Sequence, residues 1–312
     1  MIDSLRPAGP LRLAGYVDLP KNLGSGGFDH AAVHAASGHV YVAHTANDAI
    51  DVFDRNRHLF SIPNLTGVAG ALVSDDAQLI FSSNRAENTV GIFAPGPDPE
   101  VTKVAVGMRP NGLAYDHGRK LLLAANVGDP AIARSYTLTM INVGARAVRS
   151  SIEVPGRTRW AVFDPDAEVF YVNISDPAAI VVIDARKPTG IARTIAIPAA
   201  GPHGLDLDRA TCRLFCACDA GVLVTLDATS GKVLDEKPLG GVPDVVFFNR
   251  QRRQLYVAIG DPGVIDVFST ADMKKIATIK TEPGAHTTAL CPKGDRLYAL
   301  LPRTCRAAVY AT

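Results

Sequence analysis

Asp244-Val-Val-Phe-Phe-Asn249 is followed, after an arginine-rich turn, by Leu255-Tyr-Val-Ala258. A short apolar run, a polar turn and a run of β-branched and aromatic residues describe two antiparallel strands. The chain continues through Val264–Ser269 and Lys274–Lys280, with Gly260-Asp-Pro-Gly263 as the turn between the second and third strands. With Asp244–Phe248 and Gln254–Ile259, these make a unit of four strands. Working outward, the unit recurs. Asn111-Gly-Leu-Ala-Tyr-Asp116 with Leu121-Leu-Leu-Ala124 is another copy, and further copies begin at His30, Gly70, Arg159, His203 and Thr287. Their turn positions, Ala35, Asp75, Asp116, Asp164, Asp208, Asn249 and Pro292, are spaced by 40, 41, 48, 44, 41 and 43 residues. Seven such copies match the blades of a β-propeller, and helical patterning that would favour a solenoid is almost absent.

The seventh copy is short of its outer strand, because Arg306–Tyr310 nearly ends the chain. Residues 11–19, Leu11-Arg-Leu-Ala-Gly-Tyr-Val-Asp-Leu19, are a spare strand ahead of the first copy. Pairing the two closes the ring and leaves no open edge for aggregation. The expectation is therefore an all-β chain, residues 1–312 forming one seven-bladed β-propeller of four-stranded blades.

Composition narrows the function classes. Thirty-two basic residues stand against 31 acidic ones, a net charge of +1, which gives no electrostatic reason to expect a nucleic acid or an anionic membrane as partner. Arg250, Arg252 and Arg253 form the densest basic cluster, and their turn position reads as solvated surface. No apolar run approaches the roughly 20 residues of a membrane span. The start, Met1 to Arg6, lacks the pattern of a secretory signal, so the chain as given reads as cytoplasmic, or periplasmic if a signal peptide has been removed. The five cysteines, Cys212, Cys216, Cys218, Cys291 and Cys305, are odd in number and contain no C-x-x-C pair, so they read as small buried hydrophobes.

The repeat converts into a site. First residues of the inner strands should ring one mouth of the channel: His30, Gly70, Asn111, Arg159, His203, Asp244 and Thr287, with His286 one place earlier. Loops after the second strands return to the same face and bring His44, Asn84, Asn126, Asn173, Asp219, Gly260 and Pro302. Asp129, Asp176 and Asp261 lie just beyond, each followed by proline. Four of the eight histidines fall on this face. Imidazole, amide, carboxylate and guanidinium groups converging in one funnel suit a small polar ligand or a metal.

In one reading His30, His203 and His286 hold a divalent transition metal (Zn²⁺, Cu²⁺, Mn²⁺ or Fe²⁺) that polarises a carbonyl or activates water. Asp244 is then general base or orients a histidine, Arg159 clamps a carboxylate, and His44 is a catalytic or alternative metal-binding group. Asn111, Asn126, Asn173 and Asp261 would orient the substrate of this hydrolase or lyase. In the other reading the same face binds a small molecule, metal or protein without catalysis. Trp160, next to Arg159 on a strand, is expected to point away from the channel and pack between blades. Asp51-Val-Phe-Asp54 and Asp266-Val-Phe read as structural third strands. No phosphate-binding loop, G-x-S-x-G elbow or H-E-x-x-H pair is present, so no nucleotide or organic cofactor is indicated.

Phe28-Asp-His30, Val40-Tyr-Val-Ala-His-Thr-Ala-Asn-Asp48 with Ala49-Ile-Asp-Val-Phe-Asp54, Arg109-Pro-Asn-Gly112, Gly201-Pro-His-Gly204, Gln254-Leu-Tyr-Val-Ala-Ile-Gly260 and Asp295-Arg-Leu-Tyr298 carry a resemblance over nearly the whole chain. They resemble the YVTN-repeat (YncE-like) β-propeller proteins. That resemblance implies a seven-bladed fold, often secreted to the periplasm. Related propellers include metal-dependent lactonases and a metal-using streptogramin lyase. Their metal ligands are acidic and amide side chains, whereas this funnel is rich in histidine.

Overall fold

The structure, a computed structural model, describes residues 11–312. Seven antiparallel four-stranded sheets form the blades of a propeller ring. Blades 1 to 6 take their strands in chain order, and their inner strands are Phe28–Val33, Val68–Ser74, Pro110–Asp116, Thr158–Asp164, Pro202–Asp208 and Val242–Asn249. Blade 7 is built from Thr288–Leu290, Arg296–Leu301 and Arg306–Ala311, with Arg12–Asp18 paired antiparallel to the last of these. The spare N-terminal strand thus closes the ring as expected, and Arg306 donates to Asp18 across the seam at 2.7 Å.

Position in a blade sets the residue pattern. The second and third strands of blade 1, Val40–His44 and Ala49–Phe53, are buried throughout because a blade packs on each of their faces. β-Branched and aromatic side chains fill that space: Val17, Val33, Val42, Phe53, Tyr298 and Val309 lock blade 1 to blade 7. Outermost strands such as Val233–Pro238 and Lys275–Lys280 face water on one side and alternate between half-buried and exposed. All five cysteines are free, as expected, although Cys212 is exposed rather than buried. No helix among the described residues is long and apolar enough to cross a membrane.

One irregularity repeats around the ring. In blades 1 to 6 the inner strand holds an extra residue near its start, between Phe28 and Ala31, Val68 and Gly70, Pro110 and Leu113, Thr158 and Ala161, Pro202 and Gly204, and Pro243 and Val246. Such a bulge breaks the period-two alternation and re-aims the side chains beside it. His30, Asn111, Arg159, Trp160, His203 and Asp244 all sit inside these bulges.

Candidate functional site: a charged funnel at one mouth

The Gly201-Pro-His-Gly204 segment shows how the backbone prepares the site. Gly201 has φ +69°, and a Cβ there would lie 2.7 Å from the Cβ of Asp219. A Cβ on Gly204 would meet the Asp244 carbonyl oxygen at 2.1 Å. Both glycines let neighbouring segments close in on His203, so that two carboxylates reach one imidazole.

His203 Nδ1 lies 2.7 Å from Asp219 Oδ1, and Nε2 lies 3.2 Å from Asp244 Oδ1. Burial opposes a charge on this ring, but Asp244 and Asp219 outweigh it and raise its pKa to about 9. The imidazolium therefore donates to both carboxylates. Arg159 Nη1 is 3.0 Å from His203 Nε2 and Nη2 is 3.3 Å from Asp219 Oδ2. The first approach suits the neutral ring, whose Nε2 accepts. In the charged form the Asp219 contact holds the arginine, and two cations balance two carboxylates. Burial works against the charge of Asp244, yet His203, then His286 and His30, pull its pKa well below the ordinary range. His286 completes this side, with Nε2 3.8 Å from Asp244 Oδ2.

His30 is set apart. Burial lowers its pKa, against the opposing pull of Asp29 and Asp244, so its ring is neutral. It stacks on Trp160 with centroids 4.3 Å apart and planes 25° apart, across the channel from blade 1 to blade 4. Trp160 therefore faces the channel, contrary to the expectation that it points away from it, while it also packs against the core between blades 4 and 5 as expected. The bulge is the reason: it lets Arg159 and Trp160, adjacent in sequence, both project inward.

The funnel's other wall is cationic. Arg85 pairs with Asp29 at 3.2 Å. Burial, and then the charges of Arg159, Arg109 and Arg85, lower the pKa of Arg157. Four guanidinium groups thus crowd one side of the mouth. The Nε atoms of Arg85 and Arg159 and Oδ1 of Asn111 are buried and have no hydrogen-bond partner among the described residues.

Several expected site residues belong instead to the frame. His44 is fully buried, and both its nitrogens are engaged, Nδ1 with Asp51 at 2.7 Å and Nε2 with Asn22 at 2.8 Å. It ends the second strand of blade 1 and points into the blade, where Asp51 of the third strand meets it. Asn126 is fully buried and donates to Thr137 and Thr139. Asn173, also fully buried, donates to the carbonyls of His203 and Gly204, which steadies the histidine from behind. Asp261 is exposed at the end of the second strand of blade 6, and Asn111 is buried in the inner ring.

The histidines expected to share a metal do not come together as ligands. His203 is held by two carboxylates as a cation, His30 lies against Trp160, and among the described residues no group of three or more His, Cys, Asp or Glu side chains is placed to hold a metal ion. Sequence reasoning placed Asp219 in the outer ring without a role, and it left out Asp29, Arg85, Arg109 and Arg157. A signal for two of them was present: Arg109 and Arg157 each stand two residues before an inner-ring position, Asn111 and Arg159.

No protein-family model matches the chain, and no curated protein sequence matches it. Solved structures do. The chain is similar to Kuenenia stuttgartiensis hydrazine synthase, with a TM-score of 0.79 and 13% identity over 99% of this chain and 98% of that one. It is also similar to a chain of a mitotic checkpoint complex, with a TM-score of 0.81 and 13% identity over 99% of this chain and 94% of that one. At such identity the likeness shows the fold alone: the chain is a seven-bladed β-propeller.

Proposed function

We propose that the funnel recognises a small anionic molecule, one carrying a carboxylate or phosphate group beside a hydrogen-bonding group, and does so without a metal. The observation that carries this reading is the gathering of Arg85, Arg109, Arg157 and Arg159, whose charges add to partial burial in lowering the pKa of Arg157. Like charges held this close disfavour one another until an anion neutralises them. Asp29 and Asp219 pair with Arg85 and Arg159, and the Nε atoms of both arginines are buried without a hydrogen-bond partner among the described residues. The carboxylates and His286 on the far wall would take the ligand's donor end. On the motifs quoted above, and on those alone, the chain is read as a YVTN-type propeller.

A second reading, a hydrolase or lyase, rests on His203. An imidazolium that persists at neutral pH is a general acid beside a bound anion, oriented by Asp219 and Asp244. Arg159 would stabilise negative charge that develops on the substrate.

Calorimetric titration with mono-, di- and tricarboxylates and phosphate esters tests the binding. At least one should bind one-to-one, weaken at high salt, and lose tenfold or more in affinity in Arg157→Ala and Arg159→Ala. Affinities untouched by either substitution would refute it. Product analysis on the bound anions separates the two readings, since His203→Asn abolishes turnover by a catalyst and only weakens binding by a receptor. Near-stoichiometric Zn²⁺, Cu²⁺, Mn²⁺ or Fe²⁺ in purified protein, lost in His30→Ala and His203→Ala, would overturn the metal-free part.

A further inference from the structure

Trp160, stacked on His30 of the funnel, also lines a cavity of about 590 Å³ at the opposite mouth. That is within the size range of small-molecule sites. Its walls come from the later halves of the inner strands of blades 2 to 6: Leu72, Leu113, Tyr115, Trp160, Phe163 and Phe247. Trp160 and Phe247 meet edge to face with centroids 6.2 Å apart, a corner of aromatic surface. His30 is absent from these walls, so it stacks on the side of the indole turned to the funnel.

Charge in this cavity has one dominant sign. Asp206, Asp75 and Asp76 line it with His117, and no lysine or arginine does. Asp75 Oδ1 accepts from the Ala35 amide at 2.7 Å, while Asp76 stands 4.0 Å from His117 at the mouth. Asp206 lies among the aromatic walls and accepts from the amides of Phe248 at 2.6 Å and Leu207 at 2.7 Å. Two amides leave two of its lone pairs unused. Burial, with a smaller push from Asp208, raises its pKa to about 6, so near neutral pH it carries a charge that no cation in the wall compensates.

From this geometry we infer that the opposite mouth is a second ligand site, which takes a small organic cation, an alkyl- or arylammonium ion. The ammonium group donates to Asp206, and the aromatic faces of Trp160 and Phe247 attract its charge and cover its hydrocarbon part. A neutral molecule of the same shape gains only the apolar contact, and an anion meets carboxylates. The site is independent of the funnel reading because it uses none of the funnel's charged residues.

The test uses the intact protein with 2-phenylethylammonium and its neutral counterpart 2-phenylethanol, followed by calorimetry and by the emission of Trp160, the chain's one tryptophan. The ammonium ion should bind one-to-one at least tenfold more tightly than the alcohol. Asp206→Asn should remove at least tenfold of that affinity, and Arg157→Ala at the other mouth should leave it unchanged. If Asp206→Asn fails to fold, Phe247→Leu takes its place and should weaken the ammonium ion more than the alcohol. Equal affinity for amine and alcohol, no binding of the amine at millimolar concentration, or full affinity in both cavity variants would overturn the assignment.

Discussion

The two mouths of the channel are lined by the same strands and differ in how regular those strands are. At the funnel, each inner strand of blades 1 to 6 is bulged, and polar side chains project inward from the bulges. At the opposite mouth the register is regular again, and the lining is mainly apolar, with a few carboxylates. The funnel's chemistry sits where the alternation fails. A regular strand can offer the channel only every second residue, whereas a bulge can offer two in succession, as Arg159 and Trp160 do. Trp160 stands between the two mouths, stacked on His30 and edge to face with Phe247.

Removing that indole should have the largest effect. Trp160→Ala deletes the stack and should cost about 2–3 kcal/mol in urea unfolding, less than for a fully buried tryptophan because Trp160 is only partly buried. A cost below about 1 kcal/mol would mean that the stack contributes little.

His203 sharpens the funnel side. Its folded pKa of about 9 lies above the ordinary 6.5, so its contribution to stability is complete below pH 6.5 and is lost as pH rises through 9. Thermal unfolding of wild type should lose stability on the order of 2 kcal/mol over that window. His203→Asn should show a flatter profile there, and parallel curves would contradict the pairing with Asp219 and Asp244.

Asp206 probes the other mouth with a slope of the same sign, shifted into acid. Its raised pKa means that the protonated carboxyl favours the fold, so wild type loses this contribution as pH rises from 3.8 through about 6. Asp208, Asp75, Asp76 and His117 are the charged or titratable groups around it. Asp206→Asn does not titrate, and its stability relative to wild type should improve by on the order of 1 kcal/mol between pH 4 and pH 7. The smallest effect belongs to Arg157→Ala. It relieves like-charge crowding in the free protein and should stabilise it by roughly 0.5 kcal/mol, kept small by solvent screening. The same change weakens anion binding, a trade of stability for function.

The ring was readable from the sequence because each blade repeats the same physics: buried second and third strands, exposed turns, and a spare strand at the N-terminus. Strand ends moved little, as with Val242–Asn249 against the expected Asp244–Phe248. Inner-ring positions were also readable, and His203, Asp244, Arg159 and His286 do meet. The outer ring was harder. His44 and Asn126 end their strands and Asn173 stands one residue before the end of its own, all pointing into the blade, whereas Asp219 lies one residue beyond its strand, Arg213–Cys218, and reaches His203. One residue of difference decides between a buried brace and a site, and polar identity alone does not carry it. Trp160 was misplaced for a related reason, since alternation assumes an unbulged strand.

The charge arrangement of the funnel is most directly tested by NMR titration of the histidine side chains, assigned with His203→Asn and His30→Asn. His203 should titrate near pH 9, and His30 below 6.5. A His203 titrating at or below 6.5 would contradict the clamp by Asp219 and Asp244. It would place a neutral imidazole in the funnel at physiological pH, one whose Nε2 is free to accept.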